Sequence, residues 1–290
     1  MEGTQFRIRF EGFEADEHAL DMRHLGQSLV GLDRMISTGL IALSDRRPPR
    51  RGERFPLVVR AQEPVAGSVE IFGDLGPLVG ALPLMQEVIA TGASEIIWRW
   101  VSWVFLMAGG REKDADPQYT MLMQLTHSLA QYHERSEDKQ RQFFLDILDR
   151  LHPAARSAVA PIGPSCDRAT IPWVGDSEEA TVVDAPMADA VRSKDKIEVG
   201  DMERMRVHVD GIIHHNRQLK VDNPEVPGAY LTAQVRDPAF DTVPNVYTDA
   251  ASKKGWLIVD ARPTYKAGAL HGLYIMNAEA ADDDGSGGSQ

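Results

Sequence analysis

The sequence predicts an α+β chain. An N-terminal small antiparallel sheet with a helical bundle is followed by a C-terminal five-stranded OB-like β-barrel. Three observations carry this. From Arg204 to Met276, five short segments alternate apolar and polar residues with a period of two, as half-buried strands do. A helical segment falls between the third and fourth of them, the order of an OB-type barrel. Ahead of them, several stretches repeat apolar residues at every third or fourth position, the stripe of an amphipathic helix. The expected boundaries are 1–160 for the α+β helical domain, 161–200 for a linker with short strands, 201–278 for the barrel and 279–290 for a disordered tail.

Thr4–Glu11 opens the chain as a strand, with Phe6, Ile8 and Phe10 on one face and Arg7, Arg9 and Glu11 on the other. A long helix is expected from Glu17 to Ser44, its stripe running through Met22, Leu25, Leu29, Leu32, Ile36, Leu40 and Leu43, with Asp16 as N-cap. Gly26, Gly31 and Gly39 interrupt it; they weaken it, allow close packing or kink it. Pro48 and Pro49 end it. The arginines around them, Arg46, Arg47, Arg50, Arg51 and Arg54, are the densest positive charge in the chain. They read as a solvated loop, or as a contact for phosphate or an acidic partner. Phe55–Gln62 and Ser68–Phe72 read as a hairpin completing the small sheet.

Pro77–Ala108 is very apolar, and Gly92 and Ser94 divide it. Its second half, Ile96–Met107, holds Trp98, Trp100 and Trp103 around Arg99. That run is too short for a membrane span, which needs about 20 apolar residues, so integral membrane insertion is not expected. It reads as a buried helix, as an anchor for self-association or a protein partner, or as a segment lying on a membrane surface. Pro117–His133 and Ser136–Leu151 read as two amphipathic helices, paired antiparallel across a short charged joint. Ala169–Trp173 and Ala180–Val183 read as short strands, and Pro186–Arg192 as one or two helical turns. The barrel strands are expected at Arg204–Asp210, His214–Asp222, Tyr230–Arg236, Trp256–Arg262 and Ala269–Met276.

The pieces LGQSLVGLDRMISTGL, AGSVEI, VAPIGPSC (Val159–Cys166), QLKVDNPEVPG, VRDPAF and LYIM together resemble an uncharacterised two-domain bacterial and phage family. The resemblance spans most of the chain except the tail. It implies an N-terminal α+β domain, a C-terminal five-stranded β-barrel and a phage or phage-defence setting. Its motifs are structural, so it implies no activity and no site residues.

Composition narrows the function. The formal net charge is −12, which opposes nonspecific nucleic-acid binding. Residues 201–276 carry equal numbers of acidic and basic side chains, so local contacts on the barrel are not opposed. Cys166 is the single cysteine; it forms no intramolecular disulfide and suits a reducing compartment. With no basic, apolar leader at the amino terminus, the expected location is cytoplasmic.

Chemistry is sparse. Gly73–Gly80 lacks the Lys-Ser/Thr of a phosphate-binding loop. His208, His214 and His215 lie close together, and adjacent strands would set His208 across from His214, yet no carboxylate or cysteine joins them at a metal-ligand spacing. They read as solvent-facing, and no metal or other cofactor is expected. Cys166 reads as a structural thiol. The expected function is therefore a non-enzymatic recognition protein. The alternative is nucleic-acid or nucleotide binding through the barrel, where the second and third strands and the loops joining strands one and two and strands four and five hold His215, Arg217, Lys220, Tyr230, Arg236, Arg262, Tyr265 and Lys266. A metal-dependent hydrolase built on scattered carboxylates is the weaker alternative.

Overall fold

A computed structural model of the chain describes residues 5–45, 47–50, 52–54, 69–74, 93–128, 137–172 and 180–281. It divides into two compact units, Met1–Ser193 and Lys194–Gln290, and it is α+β, with a small antiparallel sheet and helices in the first and a closed five-stranded barrel in the second.

In the first unit, β1 (Gln5–Glu11) is flanked by β2 (Val69–Asp74) and β3 (Arg168–Pro172), and β4 (Ala180–Val183) lies beyond β3. All three pairings are antiparallel. The alternation read from β1 holds: Ile8 and Phe10 are buried and Arg9 is exposed. Segment 161–200, read as a linker, thus supplies two strands to this sheet and a helix beside it. The hairpin arm expected at Phe55–Gln62 lies outside the described residues.

The long helix, α1 (Met22–Asp45), starts with its stripe at Met22, later than the expected Glu17. Residues Phe13–Glu17 form a 3-10 turn, and Asp16 accepts from the Gly12 N–H at 2.8 Å. The cap is Asp21, whose Oδ1 accepts from the Arg23 and His24 N–H groups at 2.8 and 3.0 Å. Two of its glycines are close-packing positions. A Cβ at Gly31 would lie 2.5 Å from the Ala154 carbonyl oxygen, and one at Gly39 would collide with the Trp100 indole.

Helix α2 (Ala93–Ala108) carries the tryptophans, α3 (Glu112–Ser128) packs on it, and α4 (Glu137–Ala158) lies along α1. The expected pairing of α3 with α4 is therefore secondary; they meet through Tyr119 and Phe144, ring centroids 5.8 Å apart. Aromatic packing explains the arrangement, because Phe144 also lies 5.8 Å from both Trp100 and Trp103. Helix α5 (Ala185–Arg192) is capped by Asp184, which accepts from the Met187 N–H.

The second unit contains β5 (Ile197–Val199), β6 (Glu203–Ile213), β7 (Gln218–Asp222), β8 (Tyr230–Val235), β9 (Trp256–Lys266) and β10 (Ala269–Ala280). Neighbours run β6–β7–β8–β10–β9, and β9 pairs back with β6, so five strands close a ring. The β8–β10 pair is parallel, and the other pairs in the ring are antiparallel. Short β5 extends the free end of β9. Several strand limits differ from expectation: β6 runs on to Ile213 and β10 to Ala280, into the expected tail. His214–Asn216 form a 3-10 turn and Arg217 takes a left-handed φ of 52°, so β7 starts at Gln218. Strand β9 continues through Pro263, whose carbonyl accepts from the Gly200 N–H at 2.8 Å.

The barrel interior is filled by the inward member of each alternating pair, among them Val207, Val221, Ala233, Val259 and Ile275. Helix α6 (Val246–Lys253), between β8 and β9, closes one end with Tyr247 and Ala250. Its N-cap is Asn245, whose side chain accepts from the Thr248 N–H at 2.8 Å.

Candidate recognition face

The barrel registers place four outward side chains in one row. Tyr230 stands opposite Asp222 on β8 and β7, and His208 stands opposite Trp256 on β6 and β9. The row is joined in its middle by His208 Nδ1 and Asp222 Oδ2, 3.0 Å apart. It therefore runs Tyr230–Asp222–His208–Trp256 across four strands, roughly 14 Å at ordinary strand spacing.

Both aromatic ends are accessible: Tyr230 is 49% and Trp256 39% exposed. Each carries a cation. Lys220 Nζ lies 3.7 Å from the Tyr230 ring centroid, and the Arg206 guanidinium 4.7 Å from that of Trp256. The His208 and Trp256 ring centroids are 5.0 Å apart. A second row lies alongside. Asp210 accepts from Lys220 at 2.8 Å and from Lys254 at 3.2 Å. These two bonds hold the Asp210 carboxyl below its ordinary range, and the Asp210 bond raises the Lys220 ammonium. The face is aromatic at both ends and nearly charge-balanced between them.

The other sequence-derived positions do not converge on this row. Arg217 serves the barrel end: it donates to Asp241 Oδ2 and to the Asp237 carbonyl, both at 2.6 Å, and covers the Phe240 ring. His215 is exposed on the turn before it. Arg236 lies 6.0 Å from the Tyr274 ring centroid, and Arg262 stands opposite Tyr274 in the β9–β10 register. Tyr265 and Lys266 are at the far end of β9, Tyr265 opposite Glu198 and Lys266 bonded to Asp195 at 2.8 Å. Burial raises the Tyr265 phenol, with Glu203, Glu225 and Glu198 adding to it.

His214 is not across from His208; it sits on the terminal turn against Phe240, with ring centroids 5.8 Å apart. Among the described residues, no group of three or more His, Cys, Asp and Glu is arranged to hold a metal ion. Trp256, Arg206 and Lys254 were missed by the sequence reading. Leu257 turns inward, so strand alternation turns Trp256 outward, and that was the available signal.

In the first unit, Trp98, Trp100 and Trp103 are 3%, 1% and 2% exposed. Trp98 donates to the Ile171 carbonyl and Trp100 to the Met35 carbonyl, both at 2.9 Å. Arg99, between them, is held by Glu95 at 2.9 Å and Gln118 at 3.0 Å. The helix is thus part of the core. Among the described residues, no helix is long and apolar enough to cross a membrane.

Of the arginine-rich loop, Arg46 and Arg51 lie outside the described residues. Arg47 forms a two-pronged pair with Glu53 at 2.7 and 2.6 Å, and the Arg50 N–H donates to the same carboxylate at 2.6 Å. Together they lower the Glu53 carboxyl to about 2. Cys166 is buried, and burial pushes its thiol up to about 12.

Comparison with known families gives the affiliation. Residues 6–192 match a domain of unknown function, DUF7946. The chain belongs to the DUF7946 family. Residues 201–279 match a second family of unknown function, DUF7947. The DUF7946 match falls within the first unit and the DUF7947 match within the second, barrel unit. No curated protein and no solved structure is significantly similar to the chain.

Proposed function

We propose that this two-domain protein is a non-enzymatic recognition protein, and that it binds a protein partner through the Tyr230–Asp222–His208–Trp256 row. The carrying observation is the row itself: two half-exposed aromatic rings on one strand face, each flanked by a cation. Trp, Tyr and Arg dominate the energetic centres of protein interfaces. Charge supports a protein over a polyanion. Lys220 and Lys254 already hold Asp210, so a phosphate would compete with that bound carboxylate, whereas nucleic-acid affinity rests on Lys and Arg that neutralise phosphates and release their counterions. The barrel is read as OB-like from its strand order and from the helix after its third strand. The single buried thiol suits a cytoplasmic location, and the family resemblance suggests a phage or phage-defence setting.

The test is capture from extracts of the source cells with the wild-type chain and a Tyr230→Ala/Trp256→Ala variant. A protein held by the wild type after nuclease treatment, and reduced at least tenfold with the variant, supports the reading. Equal capture by both overturns it.

A second reading, single-stranded nucleic-acid binding, is favoured by one observation: Lys220 and Tyr230 occupy the second and third ring strands, the strands such barrels use. Fluorescence polarisation with labelled single-stranded DNA and RNA decides it. Tight binding that falls steeply with salt establishes this reading, and no binding at low salt removes it.

A further inference from the structure

His208 has an acceptor at each ring nitrogen. Nδ1 faces the Asp222 carboxylate at 3.0 Å, and Nε2 faces the Lys254 carbonyl oxygen at 2.8 Å. Neither acceptor can donate, so both bonds form together only when the imidazole carries both protons. A neutral ring keeps one N–H. The carboxylate bond is the stronger of the two, so the bond given up is the one to Lys254.

Lys254 is the left-handed C-cap of α6, and a helix C-terminus favours a cation. The charged groups around the ring are Arg206 and Asp210 on β6, Lys220 and Asp222 on β7, and Lys254 itself. On α6, Asp249 stands in the first turn and Lys253 in the last. On β9, Asp260 is engaged by Arg204 at 3.5 Å. Trp256 is the ring opposite His208, so a movement of the imidazole is felt first by the exposed indole.

We propose that His208 is a pH-operated latch on the recognition face. As imidazolium it ties β7 to the end of α6 and holds Trp256 in its present position; on losing a proton it releases α6 and lets Trp256 shift. The consequence for binding rests on the reading of this face as the partner surface, but the latch itself does not.

The test is the Trp256 indole N–H signal of the ¹⁵N-labelled full chain, identified by its loss in Trp256→Phe and followed between about pH 5 and 8, where histidine changes charge. The expected result is a sigmoidal displacement in the wild type and a flat response in His208→Gln. A wild-type signal that does not move, or an equal displacement in His208→Gln, overturns the latch. No partner is needed, so failure of the latch and failure of the recognition reading are separately visible.

Discussion

Trp256 stands opposite His208 across the β6–β9 register, with ring centroids 5.0 Å apart and one face of the indole under Arg206. An exposed indole held by two side chains of the neighbouring strand is positioned without being buried. That separates it from the tryptophans of α2, and the two kinds respond differently to removal.

Trp100 is 1% exposed and donates to the Met35 carbonyl. Trp100→Ala is expected to destabilise the chain by about 3–5 kcal/mol through the cavity it leaves. Trp256→Ala, at a half-exposed site, should cost about 1 kcal/mol or less. Urea unfolding of the two variants checks this; the larger loss belongs to Trp100.

Gly39→Ala tests the contact between α1 and α2. Its methyl group would collide with the Trp100 indole, and overpacking of this kind costs about 1–3 kcal/mol. Gly26→Ala in the same helix meets nothing within 4 Å and should stabilise by up to about 1 kcal/mol from helix propensity. Thermal unfolding of the pair reads the opposite signs.

Tyr247→Phe isolates the hydrogen bond that ties α6 to the loop before it. The Tyr247 hydroxyl donates to buried Asp237 Oδ2 at 2.6 Å. Removing it leaves a buried carboxylate oxygen short of a donor, a loss of about 1–3 kcal/mol. Chemical denaturation monitored on the barrel measures it.

Cys166 should be inert in the folded chain. Burial raises its thiol from 9.0 to about 12, so the folded state holds the proton more tightly than the unfolded state. The associated stability is present in full below the unfolded value and is lost as pH climbs from about 9 toward 12. Thiol-labelling reagents should modify Cys166 slowly at pH 8 and rapidly in denaturant. Cys166→Ala should flatten the alkaline part of the stability profile.

The barrel strands were legible because their period of two is local: Leu219 and Val221 turn in and Lys220 turns out whatever the partner strand. Ring closure was legible only through the order of strands and helix, since no local pattern carries the parallel pairing of Leu273 with Ala233 or the long-range β6–β9 register that make it. The candidate face divides along the same line. Lys220 and Tyr230 belong to adjacent strands and could be paired by reading along the chain, whereas Arg206, His208 and Trp256 meet only through β6 and β9.

Starts and ends of elements failed where a local hydrogen bond outweighed the pattern. Asp21, which bonds two helix N–H groups, starts α1 in place of Asp16, which bonds Gly12. Arg217 looked like a ligand contact by type, but its guanidinium is spent on Asp241 and the Asp237 carbonyl.

The central claim is that the partner docks on the row between Tyr230 and Trp256. Its most direct measurement places a photo-crosslinking amino acid at position 230, at position 256 and, as a control, at exposed Val182 of the first unit, in the full chain within source cells. The account predicts one protein adduct common to positions 230 and 256, resistant to nuclease and missing at 182. Adducts at 182 alone, or nucleic-acid adducts at 230 and 256, would contradict it.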